Sequence, residues 1–126
     1  MKKDVISTSA APAAVGPYSQ GIRAGELLFL SGQVPLDPAT GKLVDGGVEA
    51  QTEQSCRNLK AVLASQGLDL ANVVKTTVFI AHMSDFPRVN EVYKRFFTDP
   101  CPARSCVEVS ALPLGALVEI EAIAVA

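Results

Sequence analysis

Apolar and polar positions change period along this chain, and the changes mark its elements. Leu27–Ser31 is a short apolar run that stops at Gly32, as a buried strand does, and Ile22–Glu26 before it reads as a strand end and turn. Together they predict an early hairpin. Asp37-Pro38-Ala39-Thr40-Gly41 carries turn chemistry, with proline fixing φ and glycine free to make it positive. From Val48 to about Gln66 the period becomes helical: Val48, Thr52, Ser55, Leu59, Val62 and Leu63 share one stripe, and Gly67 stands just past its end. Val73–Ala81 is rich in β-branched residues and reads as a central strand. Ser84 or Asp85 then caps a second helix with Pro87 in its first turn. There Phe86, Val89, Tyr93, Phe96 and Phe97 recur at three-to-four spacing, and Pro100 and Pro102 end the run.

The segments 103–110 and 117–126 read as two more strands, separated by Ala111–Ala116. In the first, Ser105, Val107 and Val109 oppose Arg104, Cys106 and Glu108; in the second, Val118, Ile120, Ala122 and Ala124 oppose Glu119, Glu121 and Ile123. The small or apolar face of each is expected to lie under the helices, leaving the charged face open. No repeat, linker or low-complexity tract interrupts the pattern, so residues 1–126 are read as one domain mixing α and β elements.

Composition narrows the function classes. The 126 residues carry 11 Lys and Arg against 13 Asp and Glu, a net charge of −2, and 48% are hydrophobic. A mean hydropathy of +0.27 is high for a small soluble monomer, so part of the apolar surface is expected to meet another chain. The basic residues are scattered apart from Lys2-Lys3 and Lys94-Arg95, which argues against nucleic acid as a partner. The longest uncharged run, Val5 to Ile22, holds Ser, Thr, Gln, Tyr and two prolines, so no membrane span is expected, and the amino terminus lacks a secretory apolar core. A cytoplasmic location is the expectation. Cys56, Cys101 and Cys106 form no CxxC pair and His82 is the only histidine, so neither a disulfide framework nor a zinc site is suggested. His82 itself reads as a strand-end or loop residue. No GxGxxG or Walker-type loop appears, and neither metal nor cofactor is expected.

What remains is a set of charges on the last two strands. Read structurally, they are cross-strand pairs on a solvated face, each worth about 0.2–1 kcal/mol. Read functionally, an arginine in a partly desolvated cleft grips a carboxylate through two parallel hydrogen bonds, and a nearby carboxylate relays protons through a water. That set suits water addition to an already electrophilic small acid. The residues alone leave both readings open.

Longer matches favour the second. Pro102-Ala103-Arg104-Ser105-Cys106-Val107-Glu108-Val109, Leu112-Pro113 and Val118-Glu119-Ile120-Glu121-Ala122 resemble the carboxy-terminal signature of the reactive intermediate deaminase A family (RidA, also called YjgF/YER057c/UK114). Ala11–Gly21 resembles its amino-terminal segment, Leu30–Pro35 its early strand end and Val74–Phe79 its central strand, so the likeness covers nearly the whole chain. It implies a chorismate-mutase-like α+β fold, a mixed β-sheet backed by two α-helices, assembled as a homotrimer with clefts between subunits. It further implies cofactor-independent hydrolysis of enamines and imines, notably 2-aminoacrylate and 2-iminopropanoate, to 2-oxo acids and ammonia, a reaction that protects pyridoxal-phosphate enzymes.

By position, the resemblance assigns Arg104 to clamp the substrate carboxylate and Glu119 to activate the attacking water and return a proton to the departing amine. Tyr18 and Ser31 match cleft positions whose hydroxyls bond substrate or water. Gly32, Asn90 and the Cys106 backbone N–H match lining or polar positions, while the Cys106 thiol is read as packing. Glu121 is an alternative acid or base, or a structural partner of Lys75 or Arg88. The chain departs from the family between its second helix and Arg104, where Thr98–Pro102 is shorter than the usual loop, which leaves substrate breadth open. The rival readings are a trimer that binds small carboxylates or 2-oxo acids without turnover, a ribonuclease or translation inhibitor, and a chaperone using the apolar surface.

Overall fold

Alternate residues of the strands turn their apolar side chains to one face, and that face selects the architecture. The computed structural model describes residues 2–126. Six strands, β1 (Lys3–Ile6), β2 (Gly21–Ala24), β3 (Leu27–Gln33), β4 (Val73–Ile80), β5 (Ala103–Glu108) and β6 (Val118–Val125), form one sheet in the order β1-β2-β3-β6-β4-β5. All neighbours are antiparallel except β4 and β5. A parallel pair needs a crossover, and the chain makes it through the helix α2 (Phe86–Phe96); α1 (Gly47–Ala64) packs beside α2 and against β3 and β6. The fold is thus α+β, a mixed sheet backed by two helices. No helix is long and apolar enough to cross a membrane among the described residues.

The core lies between helices and sheet. Leu28, Leu30, Val78, Ile80, Val118 and Ile120 meet Leu59, Val62, Leu63 and Val89, all almost fully buried, and each such side chain contributes about 1.5–3 kcal/mol. The expected α1 stripe, Val48 to Leu63, is the buried one. The helix ends where Gly67 takes φ 72°, its N–H donating to Ala64 O at 3.0 Å while Leu68 N–H reaches Leu63 O at 3.0 Å.

The same buried face of α1 also carries polar groups, each with a backbone partner. Ser55 Oγ donates to Gln33 O (2.9 Å), Asn58 Nδ2 donates to Leu36 O (3.0 Å), and Gln51 Oε1 accepts the Leu117 N–H (2.8 Å). They fix the chain as it leaves β3 and as it enters β6, the two stretches that border the candidate site.

Two expectations change, and one strand is new. The edge strand β1, four residues with three exposed, has no alternation long enough to be read. Asp85 stands at the start of α2, but its side chain makes no capping bond and pairs with Arg88, which also lies 3.8 Å from Glu49. The faces of β5 are reversed. Register sets Arg104 beside Thr76 and Cys106 beside Val78, both buried on the helix side, so Cys106 packs on the core while Val107 is 41% exposed. Pairing with β4 decides the matter, because each face of β5 mixes polar and apolar residues.

On the side away from the helices the sheet shows Val5, Phe29 and Val107, 66%, 43% and 41% exposed. A broad apolar face without a layer over it fits the high hydropathy of the chain.

Candidate active site

On that uncovered side a cavity of about 570 Å³ opens, lined among others by Tyr18, Ser31, Gly32, Leu114, Glu119 and Glu121. Its floor is an irregularity in the sheet. Leu30 pairs with Ala122 and Gln33 with Ile120, so Ser31 and Gly32 together face the single residue Glu121, a bulge that turns the β3 backbone toward the cavity. Gly32 is required there: a Cβ would fall on the Glu119 Oε2 and lie 2.8 Å from its Cδ. The glycine is a seat for the carboxyl.

Seated in this way, Glu119 is partly buried, and its pKa is raised above the ordinary carboxylate value, first by loss of solvation and then by the charge of Glu121. Its neighbour lacks the partners expected for it. Lys75 Nζ donates to Ser105 Oγ at 3.2 Å, and Arg88 is held by Asp85 and Glu49, so neither neutralises Glu121. Ser31 Oγ donates its proton to Ser19 O (2.6 Å) and so offers only lone pairs to a ligand. Tyr18 is 51% exposed, its ring free to meet whatever enters.

Gln20, which sequence reasoning passed over, holds the rim. Its Oε1 accepts the Thr8 N–H at 2.6 Å, and its Nε2 donates to Thr8 O and Pro12 O at 3.0 and 2.8 Å. Buried amid the Ala11–Gly21 segment, it pins the strap that carries Pro12 and Ala13 to the cavity. A glutamine among small and turn residues was the only available signal.

The other candidates lie elsewhere. Arg104 pairs in register with Thr76 and Glu119 with Phe79, and β4 runs without a slip between them. Three residues apart on a strand means opposite faces. Arg104 therefore points to the helix side at the sheet edge, where its Nη1 donates to Asn90 Oδ1 at 2.7 Å. Cys106 follows on the same face, and burial raises its thiol pKa, opposed by Arg104. One chain thus brings together Tyr18, Ser31, Gly32 and Glu119, and separately Asn90, Arg104 and Cys106.

The family model described as endoribonuclease L-PSP matches residues 8–126. The chain belongs to that family, the RidA (YjgF) group. Like other RidA members, it keeps its likeness over nearly the full length. It is 53% identical to the mouse protein named 2-iminobutanoate/2-iminopropanoate deaminase, across 98% of this chain and 91% of that one. The crystal structure of a Thermotoga maritima protein described as a putative endoribonuclease superposes with a TM-score of 0.95 at 52% identity, covering 100% and 98% of the two chains. The structure of Escherichia coli TdcF with bound serine gives 0.91 at 45% identity, with 98% of each covered.

Proposed function

We propose that this RidA chain hydrolyses reactive 2-imino acids, of the size of 2-iminopropanoate and 2-iminobutanoate and their enamine tautomers, to 2-oxo acids and ammonia. The reaction runs without a cofactor, in clefts between the subunits of a homotrimer of chorismate-mutase-like shape. The observation that carries this reading is the division of the candidate residues between the two faces of the sheet. A carboxylate clamp and a water-activating carboxyl serve one substrate only if Arg104 of one copy meets Glu119 of another, and the uncovered apolar face supplies the surface on which copies join.

In such a cleft Arg104 holds the carboxylate through two parallel hydrogen bonds and so fixes C2. Glu119 takes a proton from water as the oxygen adds to C2 and the C=N bond becomes single. The proton then passes to the amine, the added hydroxyl gives its own proton to the Glu119 carboxylate, the C–N bond breaks, and ammonia leaves as C2 becomes a carbonyl. A carboxyl whose pKa is raised by burial is matched to both transfers.

Two observations favour other readings. The bound serine of TdcF suits a trimer that binds amino-acid-like carboxylates without turnover. Against it stands the raised pKa of Glu119, which makes the carboxyl a weaker ion-pair partner for an ammonium and a better proton carrier. The family description suits a ribonuclease. The cavity, however, is lined by Glu119 and Glu121, and the proposed cleft would add only the single Arg104 of another copy, a poor seat for a phosphate backbone.

The test is 2-oxo acid release from enzymatically generated 2-aminoacrylate, comparing wild type, E119A and spontaneous hydrolysis. Acceleration by wild type alone is the expected result. A wild-type rate equal to the spontaneous one overturns the proposal, and RNA cleavage surviving rigorous nuclease removal moves the reading to the ribonuclease.

A further inference from the structure

The surroundings of Arg104 hold more than Asn90. Phe86, Asn90 and Tyr93 stand at i, i+4 and i+7 of α2, one stripe of the helix, and all three meet the same guanidinium. The Arg104 Cζ lies 5.3 Å from the Phe86 ring centroid and 4.9 Å from that of Tyr93, within cation–π range of both. The Tyr93 ring is in turn immobilised. It stacks on Phe97 at 4.4 Å between centroids, and its hydroxyl shares a 2.7 Å buried hydrogen bond with Thr76, the β4 residue paired in register with Arg104.

We propose that Phe86 and Tyr93 are positioning residues that hold the Arg104 guanidinium in an aromatic seat. With both rings within cation–π range and one donor held by Asn90, the fork keeps its remaining donors for a ligand carboxylate before any ligand arrives. A lysine ammonium, having neither a flat face nor a fork, gains far less from such a seat. This rests on the reading that Arg104 binds a carboxylate, and its test separates the two.

The activity-independent readout is the side-chain nitrogen relaxation of Arg104 Nε in the unliganded protein. In wild type Arg104 is expected to be more ordered than the exposed Arg57, to become mobile in Y93L, and to regain its order in Y93F. The functional readout is KM for the imine, with 2-oxobutanoate affinity by calorimetry beside it. Y93L is expected to raise KM by about fivefold, the scale of one partly exposed cation–π contact, with kcat changed less, and Y93F to recover most of it. In combination with R104K the two effects are expected to be non-additive. Tyr93 is buried beneath Phe97, so F86L, which removes the outer ring only, repeats the test in a variant whose core is intact. Arg104 as mobile in wild type as Arg57 overturns the proposal, as does Y93F matching Y93L or a doubled loss in the double variant. A wild type that neither turns over imine nor binds 2-oxobutanoate overturns the assigned role of Arg104, while the relaxation data still decide whether the rings hold it.

Discussion

Gly32 shows how much one absent atom determines. Because the Glu119 carboxyl occupies the space a Cβ would fill, G32A must displace it, and in the proposed mechanism turnover depends on where that carboxyl sits. The expected loss in kcat/KM for 2-iminopropanoate is about 100-fold, the usual effect of misplacing a reacting group by an ångström, with far-ultraviolet dichroism unchanged. The raised pKa of Glu119 also has a stability consequence. Below the ordinary carboxylate range both folded and unfolded chains hold the proton and the residue costs nothing. As pH rises past the unfolded value toward the raised folded one, the unfolded chain ionises first and the fold is penalised. E119Q, always neutral, should therefore melt at a higher temperature than wild type near neutral pH and lose that advantage at about pH 4 in scanning calorimetry. Neither effect was legible from residue types, since the contact of Gly32 with Glu119 joins positions far apart in sequence through a bulge that no local pattern announces.

At the scale of elements, helices and central strands were legible because their apolar periods are long: α1 and β4 fall within a residue or two of the patterns that predict them. The edges were not. β1 is too short to show a period, and β5 offers two mixed faces between which only pairing with β4 chooses. β6 carries both glutamates on one face, and E121Q should lower the pKa of Glu119 by removing the neighbouring charge. If Glu119 acts as base toward water, the acidic limb of the kcat/KM profile then moves to lower pH, and an unmoved limb assigns it to another group. The strap before β2 depends on Gln20. Q20A leaves the buried Ala11 carbonyl and the half-buried Thr8 and Pro12 groups without this partner and should cost about 1–3 kcal/mol in urea unfolding, with faster amide exchange at Thr8.

For the whole molecule, the two faces of the sheet set the prediction. Refolding R104A and E119A together should restore activity that neither shows alone. In a random mixture about one cleft in four draws both intact residues from different copies, whereas a site within one chain would recover nothing. The sequence carried the residues of both proposed half-sites but not their separation, because parity along β5 and β6 becomes meaningful only once β4 relates them. That separation reaches into inheritance. Each copy in the proposed ring lends its arginine to one cleft and its glutamate to the other, so a chain lacking both silences two clefts while still assembling. Made in equal amount beside a healthy copy, it would leave about one cleft in four active rather than one in two, so the harm would exceed its share of the protein made.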